Sequence, residues 1–233
     1  MAAFKEIYLI DTLFLIRHGQ TDWNVTGRIQ GNPPLNSVGL WQARQSAKAL
    51  WERYSPGSRS LVVCSGKIRA CQTAHIFADP LGLKVEEDPR FTERNFGQWE
   101  GRLLSEILEL YPEDVEGWRR GEGNELKYGV EPHEQVAKRV GEALLEWTNA
   151  KGDFDKLFIF SHGTCINDCI RFLFSEGSNL SFSKGAALTD MNNAFWTRFE
   201  KLGARWAMGS FNEGPSIAYK CDWNAGGDNG KGE

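Results

Sequence analysis

Short apolar runs alternate along the chain with stretches whose apolar positions recur every three or four residues. Three of these runs are apolar without alternation, which is typical of strands buried on both faces of a sheet. They cover Thr12–Arg17, Ser60–Cys64 and Lys156–Ser161. The pattern also predicts a short strand at residues 83–87 and a hairpin of residues 194–200 and 205–211 around a Leu-Gly turn.

The stretches between the runs have helical periodicity. Residues 38–54 place Ala43, Ala47 and Leu50 on one face, and either Asn36 or Ser37 can cap the first turn. Further helices are predicted at residues 68–78, 104–111, 134–148 and 164–174.

Strands separated by helices predict a mostly parallel central sheet with helices on both faces, that is, a three-layer α/β/α sandwich. The chain has 233 residues and no obvious linker, so we expect one catalytic domain over residues 1–223. Residues 224–233 are rich in Gly, Asn and Asp, and we expect a flexible tail there.

Composition narrows the class of protein. The net charge is −4 and the isoelectric point is about 5.7, which argues against a general nucleic-acid binder. The apolar stretch at residues 7–16 is too short to span a bilayer and has no cleavage site after it, so we expect no membrane partner and a cytoplasmic location. The five cysteines form no CxxC pair, and free thiols are expected.

The polar residues that follow the apolar strands suggest the chemistry. Arg17 and His18 come at the end of the first strand, Arg69 follows the second, and His162 follows the third long run. The carboxyl ends of parallel strands meet at one edge of a sheet, where ligands bind. Arginine matches phosphate oxygens, and the start of a following helix adds amide donors. These residues therefore predict a phosphoryl pocket.

A histidine in such a pocket can attack phosphorus and form a phosphohistidine. The attacking imidazole must be neutral, and its other nitrogen should donate to a backbone carbonyl. The leaving oxygen then needs a proton from a separate acid, for which Glu93 is the candidate. No cluster of His, Asp and Glu has metal-ligand spacing, so neither a metal nor a cofactor is expected.

These motifs resemble the histidine phosphatase superfamily, also called phosphoglycerate-mutase-like. The similarity runs in the family's order from about residue 12 to residue 217. It rests on Arg17-His18-Gly19, Asn24, Leu35, Gly39, Gln42, Ala43, Ser65, Arg69, Ala70, Gln72, Thr73, Glu93, Gly97, Trp99, Glu100, Gly101, Ser161-His162-Gly163, Asn192–Ala194 and Trp206–Asn212.

The resemblance implies that His18 is the nucleophile and that Glu93 is the general acid and then the base for water. Arg17, Asn24, Arg69 and His162 would hold the phosphate oxygens, with His162 in the catalytic set. Thr21 and Gly163 complete the expected substrate-binding residues.

The family contains phosphatases and mutases. This chain lacks the longer segment that mutases carry between Glu93 and His162, which favours a phosphatase acting on small phosphomonoesters. Glu93-Arg94 resembles the mutase version, so a cofactor-dependent phosphoglycerate mutase is the alternative. A non-catalytic phosphate-binding protein is a second alternative, which the intact set of His18, Arg69, Glu93 and His162 opposes.

The expected partner is a small phosphorylated metabolite, and assembly into a homodimer stays open. Three further residues near the motifs have competing interpretations. His133 is expected in an exposed position or at the rim of the site, and Lys67 either at the pocket mouth or in solvent. Arg94 either pairs with a nearby carboxylate, which is favoured, or reaches a second phosphate.

Overall fold

A computed structural model describes residues 10–29, 31–150, 152–175 and 188–227, and these residues form one mixed sheet flanked by helices. The strand order is β3-β2-β4-β1-β5-β6. The strands are β1 (Thr12–Arg17), β2 (Ser60–Cys64), β3 (Val85–Glu87), β4 (Lys156–Ser161), β5 (Trp196–Leu202) and β6 (Arg205–Glu213).

Strands β1 to β4 are parallel, whereas β5 runs antiparallel to β1 and forms the predicted hairpin with β6. The register aligns the carboxyl ends of the central strands. Arg17 in β1 lies opposite Ser161 in β4, and Cys64 in β2 lies opposite Phe160 in the same strand. The loops that follow these strands therefore leave the sheet at one edge, as predicted.

All five predicted helices are present, with bounds shifted by at most one residue at either end. Two more, α1 and α5, were not predicted: α1 is only five residues long, and α5 begins at a proline directly after α4. The helices are α1 (Asp22–Thr26), α2 (Ser37–Tyr54), α3 (Ile68–Ala78), α4 (Leu104–Leu110), α5 (Pro112–Arg119), α6 (His133–Thr148) and α7 (Gly163–Ser175).

The two faces of the sheet are covered by different helices. Successive side chains of a strand point to opposite faces. Leu13 and Leu15 of β1 accordingly pack in a cluster with α6 and α7, whereas Phe14 and Ile16 pack with α2 and α3. The three-layer α/β/α fold predicted from the sequence is therefore confirmed.

A third apolar cluster lies outside these layers. It joins the segment after Glu93 to α4 and α5 through Phe96, Trp99, Ile107 and Val115. This small core gives residues 96–130 their own packed unit, which we call the cap.

Several element boundaries differ from expectation. Strand β5 begins at Trp196 rather than at residue 194 and ends at Leu202, and β6 ends at Glu213 rather than at residue 211. Strand β3 begins at Val85 rather than Leu83, because the Leu83 amide instead bonds the carbonyl of Ala78 at the end of α3. Residues 224–227 are part of the fold, since Trp223–Ala225 forms a short 3-10 helix and the Asn224 carbonyl accepts from Gln20 Nε2 at 3.2 Å. The rest of the expected tail, 228–233, lies outside the described residues. In the described part of the chain, no helix combines the length and apolar character needed to cross a membrane.

Candidate active site

His18 directly follows β1 and is buried at the carboxyl edge of the sheet. Its Nδ1 lies 2.7 Å from the Gly19 carbonyl oxygen, and its Nε2 lies 3.0 Å from Arg69 Nε. A carbonyl can only accept and a guanidinium can only donate. The network therefore assigns the proton to Nδ1 and leaves the lone pair on Nε2, the form that a nucleophile needs.

The surroundings of the two histidines favour their neutral forms. Burial, reinforced by the charges of Arg69 and Arg17, lowers the pKa of His18 well below its usual range. Burial also lowers the pKa of His162 in the same way, again with help from Arg69. The two rings are tilted neighbours, with centroids 5.2 Å apart.

Two arginines converge on this pair with part of their hydrogen-bonding capacity unused. Arg69 donates through Nη1 to the Gly31 carbonyl at 2.8 Å, and Arg17 donates through Nη1 to the Met191 carbonyl. The buried Arg69 Nη2 and Arg17 Nε have no partner. Burial lowers the pKa of both groups, to about 10 for Arg69. A guanidinium group stays charged near neutral pH.

His162 presents a third unused donor. Ser65 Oγ lies 2.7 Å from His162 Nε2 and accepts the Lys67 amide at 3.4 Å, which leaves its own proton free to be donated to the imidazole. When the serine donates, the histidine proton is on Nδ1, which is buried without a partner.

Buried polar groups without partners are rare in proteins and need an explanation. Here three such groups, Arg17 Nε, Arg69 Nη2 and His162 Nδ1, belong to side chains that interact with His18. Two of the donors are permanently charged. An oxyanion with several oxygens, such as a phosphoryl group, would satisfy all three.

Glu93 is held by backbone amides rather than by cations. Its Oε1 accepts from Arg94 N at 2.8 Å and from Cys165 N at 3.1 Å, and its Oε2 accepts from Thr164 N at 3.2 Å. The amides at the start of α7 were expected to bind the phosphoryl group, but they bind the Glu93 carboxylate instead. A small opening of 110 Å³ leads to Glu93 between Gly31, Lys67, Thr92, Arg94, Asn95 and Glu100.

Asn24 and Thr21 are linked in a cap at the start of α1. Thr21 Oγ1 donates to Asn24 Oδ1 at 3.1 Å and accepts the Asn24 amide, and Asn193 Nδ2 reaches the same Oδ1 at 3.4 Å. These contacts leave Asn24 Nδ2 as the group that can donate to a ligand. The Thr21 side chain is fully buried and its hydroxyl is used by the cap, so it positions Asn24, and its predicted contact with substrate stays a prediction.

Gly163 lies beside Arg17. A β-carbon built at Gly163 would lie 3.9 Å from the Arg17 guanidinium, so the residue flanks this arginine at the start of α7.

Several residues that support the site were present in the motifs but had no predicted role. Asn193 Nδ2 holds the His18 carbonyl at 3.1 Å, Thr73 Oγ1 accepts the Gly19 amide at 3.2 Å, and Gln42 Oε1 accepts the Gln20 amide at 2.9 Å. Thr73 and Gln42 are polar residues on otherwise apolar helix faces, a signal that could have found them. Their partners, however, are known only from the fold.

The three residues with competing interpretations now have positions. His133 begins α6 and pairs with the buried Asp168 at 3.1 Å, which agrees with a rim position. Arg94 is fully buried and pairs with Glu125 at 2.7 Å, so its role is structural, as favoured. Lys67 precedes α3 and lines the opening at Glu93.

A second, wider cleft of 480 Å³ adjoins the arginine side of the site. Asn192 and Asn224 present exposed side chains there, and Asp190 adds a carboxylate. Most of its lining is amide-bearing: it consists of Arg17, Gln20, Asn24, Val25, Asp190, Met191, Asn192, Asn193 and Asn224.

Comparison with known proteins identifies relatives that are similar over most of this chain. The glucosyl-3-phosphoglycerate phosphatase of Mycobacterium tuberculosis is 33% identical over 223 residues, covering 91% of this chain and 94% of the relative. A probable phosphoglycerate mutase of Enterobacter sp. is 33% identical over 160 residues, covering 66% of this chain and 70% of the relative. A solved structure of the mycobacterial phosphatase with VO3 superposes with a TM-score of 0.75 at 28% identity, covering 87% and 98% of the two chains.

A family model for the histidine phosphatase superfamily (branch 1) matches residues 13–214. The match includes the residues described around His18, from Arg17 to Asn193, but not Asn224 of the wider cleft. The resemblance inferred from the motifs is therefore confirmed, and relatives named as phosphatases support the phosphatase branch. The chain belongs to the histidine phosphatase superfamily.

Proposed function

We propose that this protein is a metal-independent phosphatase that hydrolyses small phosphomonoesters through a phosphohistidine on His18. The observation that carries the proposal is a neutral His18 whose lone pair is on Nε2. Three buried groups of neighbouring side chains, Arg17 Nε, Arg69 Nη2 and His162 Nδ1, have no hydrogen-bond partner. Arg17, Arg69 and His162 bind the three non-bridging oxygens and neutralise the charge that develops on them. Asn24 Nδ2 adds a donor at the mouth.

The reaction proceeds in two steps. In the first, the His18 Nε2 lone pair forms a bond to phosphorus while the bond to the ester oxygen breaks, and Glu93 gives its proton to that oxygen. In the second, the Glu93 carboxylate takes a proton from water as the water oxygen bonds to phosphorus, and the N–P bond breaks. Inorganic phosphate then leaves, and His18 and Glu93 return to their starting states.

The first test is phosphate release from small monoesters in the presence of EDTA. We expect wild type to be active and His18→Ala to lose about 10⁴-fold or more, since a nucleophile has no substitute. His75→Ala is the matched control, because His75 is exposed and pairs with Asp79 on the outer side of α3. Loss of wild-type activity in EDTA, or an active His18→Ala, would contradict the mechanism.

The role of Glu93 is tested with two leaving groups. p-Nitrophenolate leaves without protonation, whereas an alkoxide needs the acid. We expect Glu93→Gln to release one p-nitrophenolate per chain in a burst and then to stall, because water is no longer activated. Phosphate transfer from an alkyl ester should be slow from the start. An equal loss on both esters, with no burst, would contradict the role of Glu93 as proton donor, and unchanged activity on both would remove Glu93 from the reaction.

The wider cleft supports a more specific substrate. We propose a hydroxyl-rich monoester, with its phosphate at His18 and its hydroxyls at Asn192 and Asn224. Amides can donate to and accept from sugar hydroxyls. The curated name of the mycobacterial relative, a glucosyl-3-phosphoglycerate phosphatase, points to the same class.

This substrate class is tested by comparing glucosyl-3-phosphoglycerate with 3-phosphoglycerate. We expect kcat/KM to favour the glucosylated ester, and Asn192→Leu to remove that preference through a higher KM. Val25→Ala at the same cleft is the control. Equal kcat/KM values for both esters in wild type would exclude the sugar contact and leave the phosphatase mechanism standing.

Two observations favour the mutase alternative: the Glu93-Arg94 pair resembles the mutase version, and one relative is named as a probable phosphoglycerate mutase. The position of Arg94 opposes it, because this arginine is occupied by Glu125 and cannot hold a second phosphate. Bisphosphoglycerate should therefore not stimulate the protein. Interconversion of phosphoglycerates that depends on bisphosphoglycerate would establish the mutase instead.

A further inference from the structure

Two cysteines and a glutamate meet at the sheet edge, beside the catalytic loops. Cys64 ends β2, Glu87 ends β3, and the two are register partners in the parallel pair. Cys71 comes from the second turn of α3, which packs back onto the same strands. One ligand atom from each of the three residues lies within 4.8 Å of the others, and Cys71 Sγ is 3.8 Å from a Glu87 carboxylate oxygen.

This geometry is close to that of a bound metal ion. Zinc binds thiolate sulfur at about 2.3 Å and carboxylate oxygen at about 2.0–2.2 Å, so tetrahedral ligand atoms lie roughly 3.5–3.8 Å apart. The three atoms therefore need to move by about 1 Å or less to reach coordination distance. Cys64 is buried, Cys71 is partly buried and Glu87 is exposed, so an ion can enter from solvent.

The donor set also selects the kind of cation. Two sulfurs and one oxygen suit a borderline-soft ion and disfavour Mg²⁺ or Ca²⁺, which take oxygen ligands. Each of the five cysteines is a free thiol in the structure, so both sulfurs are available.

We propose that Cys64, Cys71 and Glu87 form a binding site for one thiophilic divalent cation such as Zn²⁺, separate from the reaction at His18. The ion displaces one proton from each thiol, so the net charge beside His162 and Arg69 is unchanged on binding. Water completes the coordination on the exposed side.

The metal site has a structural consequence for the segment that follows β2. Residues 64–71 carry both Ser65, which orients His162, and Arg69, which contacts His18. An ion held by Cys64 and Cys71 joins the two ends of this segment. Binding to the folded state alone raises stability. We therefore expect the ion to raise the thermal midpoint while turnover continues without it.

The probe is Co²⁺, whose thiolate complexes absorb by charge transfer, added to protein kept reduced by a non-chelating phosphine. We expect one Co²⁺ per chain, displaced by Zn²⁺, and a rise in the thermal midpoint. Cys71→Ser should weaken binding at least 100-fold and Glu87→Gln about tenfold. Both variants should keep wild-type phosphatase activity in EDTA, because neither residue belongs to the catalytic set.

Matched controls separate this site from unspecific thiol binding. Cys221→Ser removes another partly buried thiol, and Glu86→Gln removes the neighbouring carboxylate of β3. Both controls should bind Co²⁺ as wild type does. No thiolate absorption in reduced wild type, unchanged binding in Cys71→Ser, or equal loss in Cys221→Ser would overturn the proposal. These outcomes do not depend on phosphatase activity, so they test the metal site alone.

Discussion

At the scale of the residue, the site depends on protonation states that neighbours impose. His18 is neutral with Nδ1 donating to the Gly19 carbonyl, and His162 is neutral with Nε2 hydrogen-bonded to the Ser65 hydroxyl. A charged His18 would have no lone pair for attack. Burial and two nearby guanidinium groups thus contribute directly to the chemistry by lowering the pKa of each imidazole.

The same pKa shifts predict how stability depends on pH. In the unfolded chain both histidines bind a proton below about pH 6.5, whereas the folded protein keeps them neutral. The unfolded state then binds more protons, so stability falls as pH falls, by up to about 1.4 kcal/mol per pH unit for each histidine. Urea unfolding of wild type at pH 7.5 and 5.5 measures this loss.

His162→Gln serves as the comparison for this pH effect. Its stability should depend less on pH than that of wild type, because one of the two groups is removed. If His162→Gln and wild type lose equal stability on acidification, His162 is not a source of the effect.

At the scale of the element, the loop that follows β1 and carries His18, the catalytic loop, is shaped by how closely α2 approaches it. A β-carbon at Gly39 would lie 2.0 Å from the Gln20 carbonyl oxygen, and one at Gly19 would lie 2.4 Å from the Gly39 carbonyl oxygen. Only glycine permits this contact. The approach lets Gln42 bind the Gln20 amide and keeps the Gly19 carbonyl under His18 Nδ1.

Gly39→Ala should therefore force α2 and the catalytic loop apart. We expect a loss of about 1–3 kcal/mol in the free energy of unfolding, together with reduced kcat, because the acceptor of His18 moves. Gly57→Ala is the control, since a β-carbon there meets nothing within 4 Å. Chemical denaturation and a phosphate-release assay on both variants check this prediction, and a Gly39→Ala protein with wild-type kcat would contradict it.

At the scale of the whole molecule, the cap is joined to the acid by a buried ion pair. Arg94 donates to Glu125 at 2.7 Å and to the Glu131 carbonyl at 2.6 Å, and its own amide binds Glu93. Both charged side chains are almost completely buried. The packing of the cap and the position of the proton donor are therefore linked through one arginine.

Removing one partner of a buried pair leaves the other charge without compensation. Glu125→Ala should lower the free energy of unfolding by about 3–5 kcal/mol and slow turnover, because Arg94 no longer holds its place beside Glu93. Glu122→Ala, which breaks an exposed pair with Arg120, should leave both properties unchanged. Replacing both partners, as Arg94→Met with Glu125→Leu, should recover stability relative to Glu125→Ala. No recovery would mean that packing, rather than charge, causes the loss.

The sequence by itself determined the layers and the chemical type of the site. The periodicity of apolar residues predicted the buried strands and helices, because it follows burial. Parallel strands end at a common edge, so the residues after them, Arg17-His18, Arg69 and His162, predicted a phosphoryl site. These patterns involve residues that are close together in the sequence, so they can be recognised without the fold. The short helix α1 was missed because five residues carry too little periodicity to recognise.

The tertiary structure alone decided what each polar group does. Arg94 and Glu125 are 31 residues apart, and no local pattern indicates their pairing. The same holds for the hydroxyl of Thr21, which caps α1, and for the start of α7, which binds Glu93. Hydrogen bonds and charges act over a few ångströms, so the partners of a side chain depend on distances that exist only after folding.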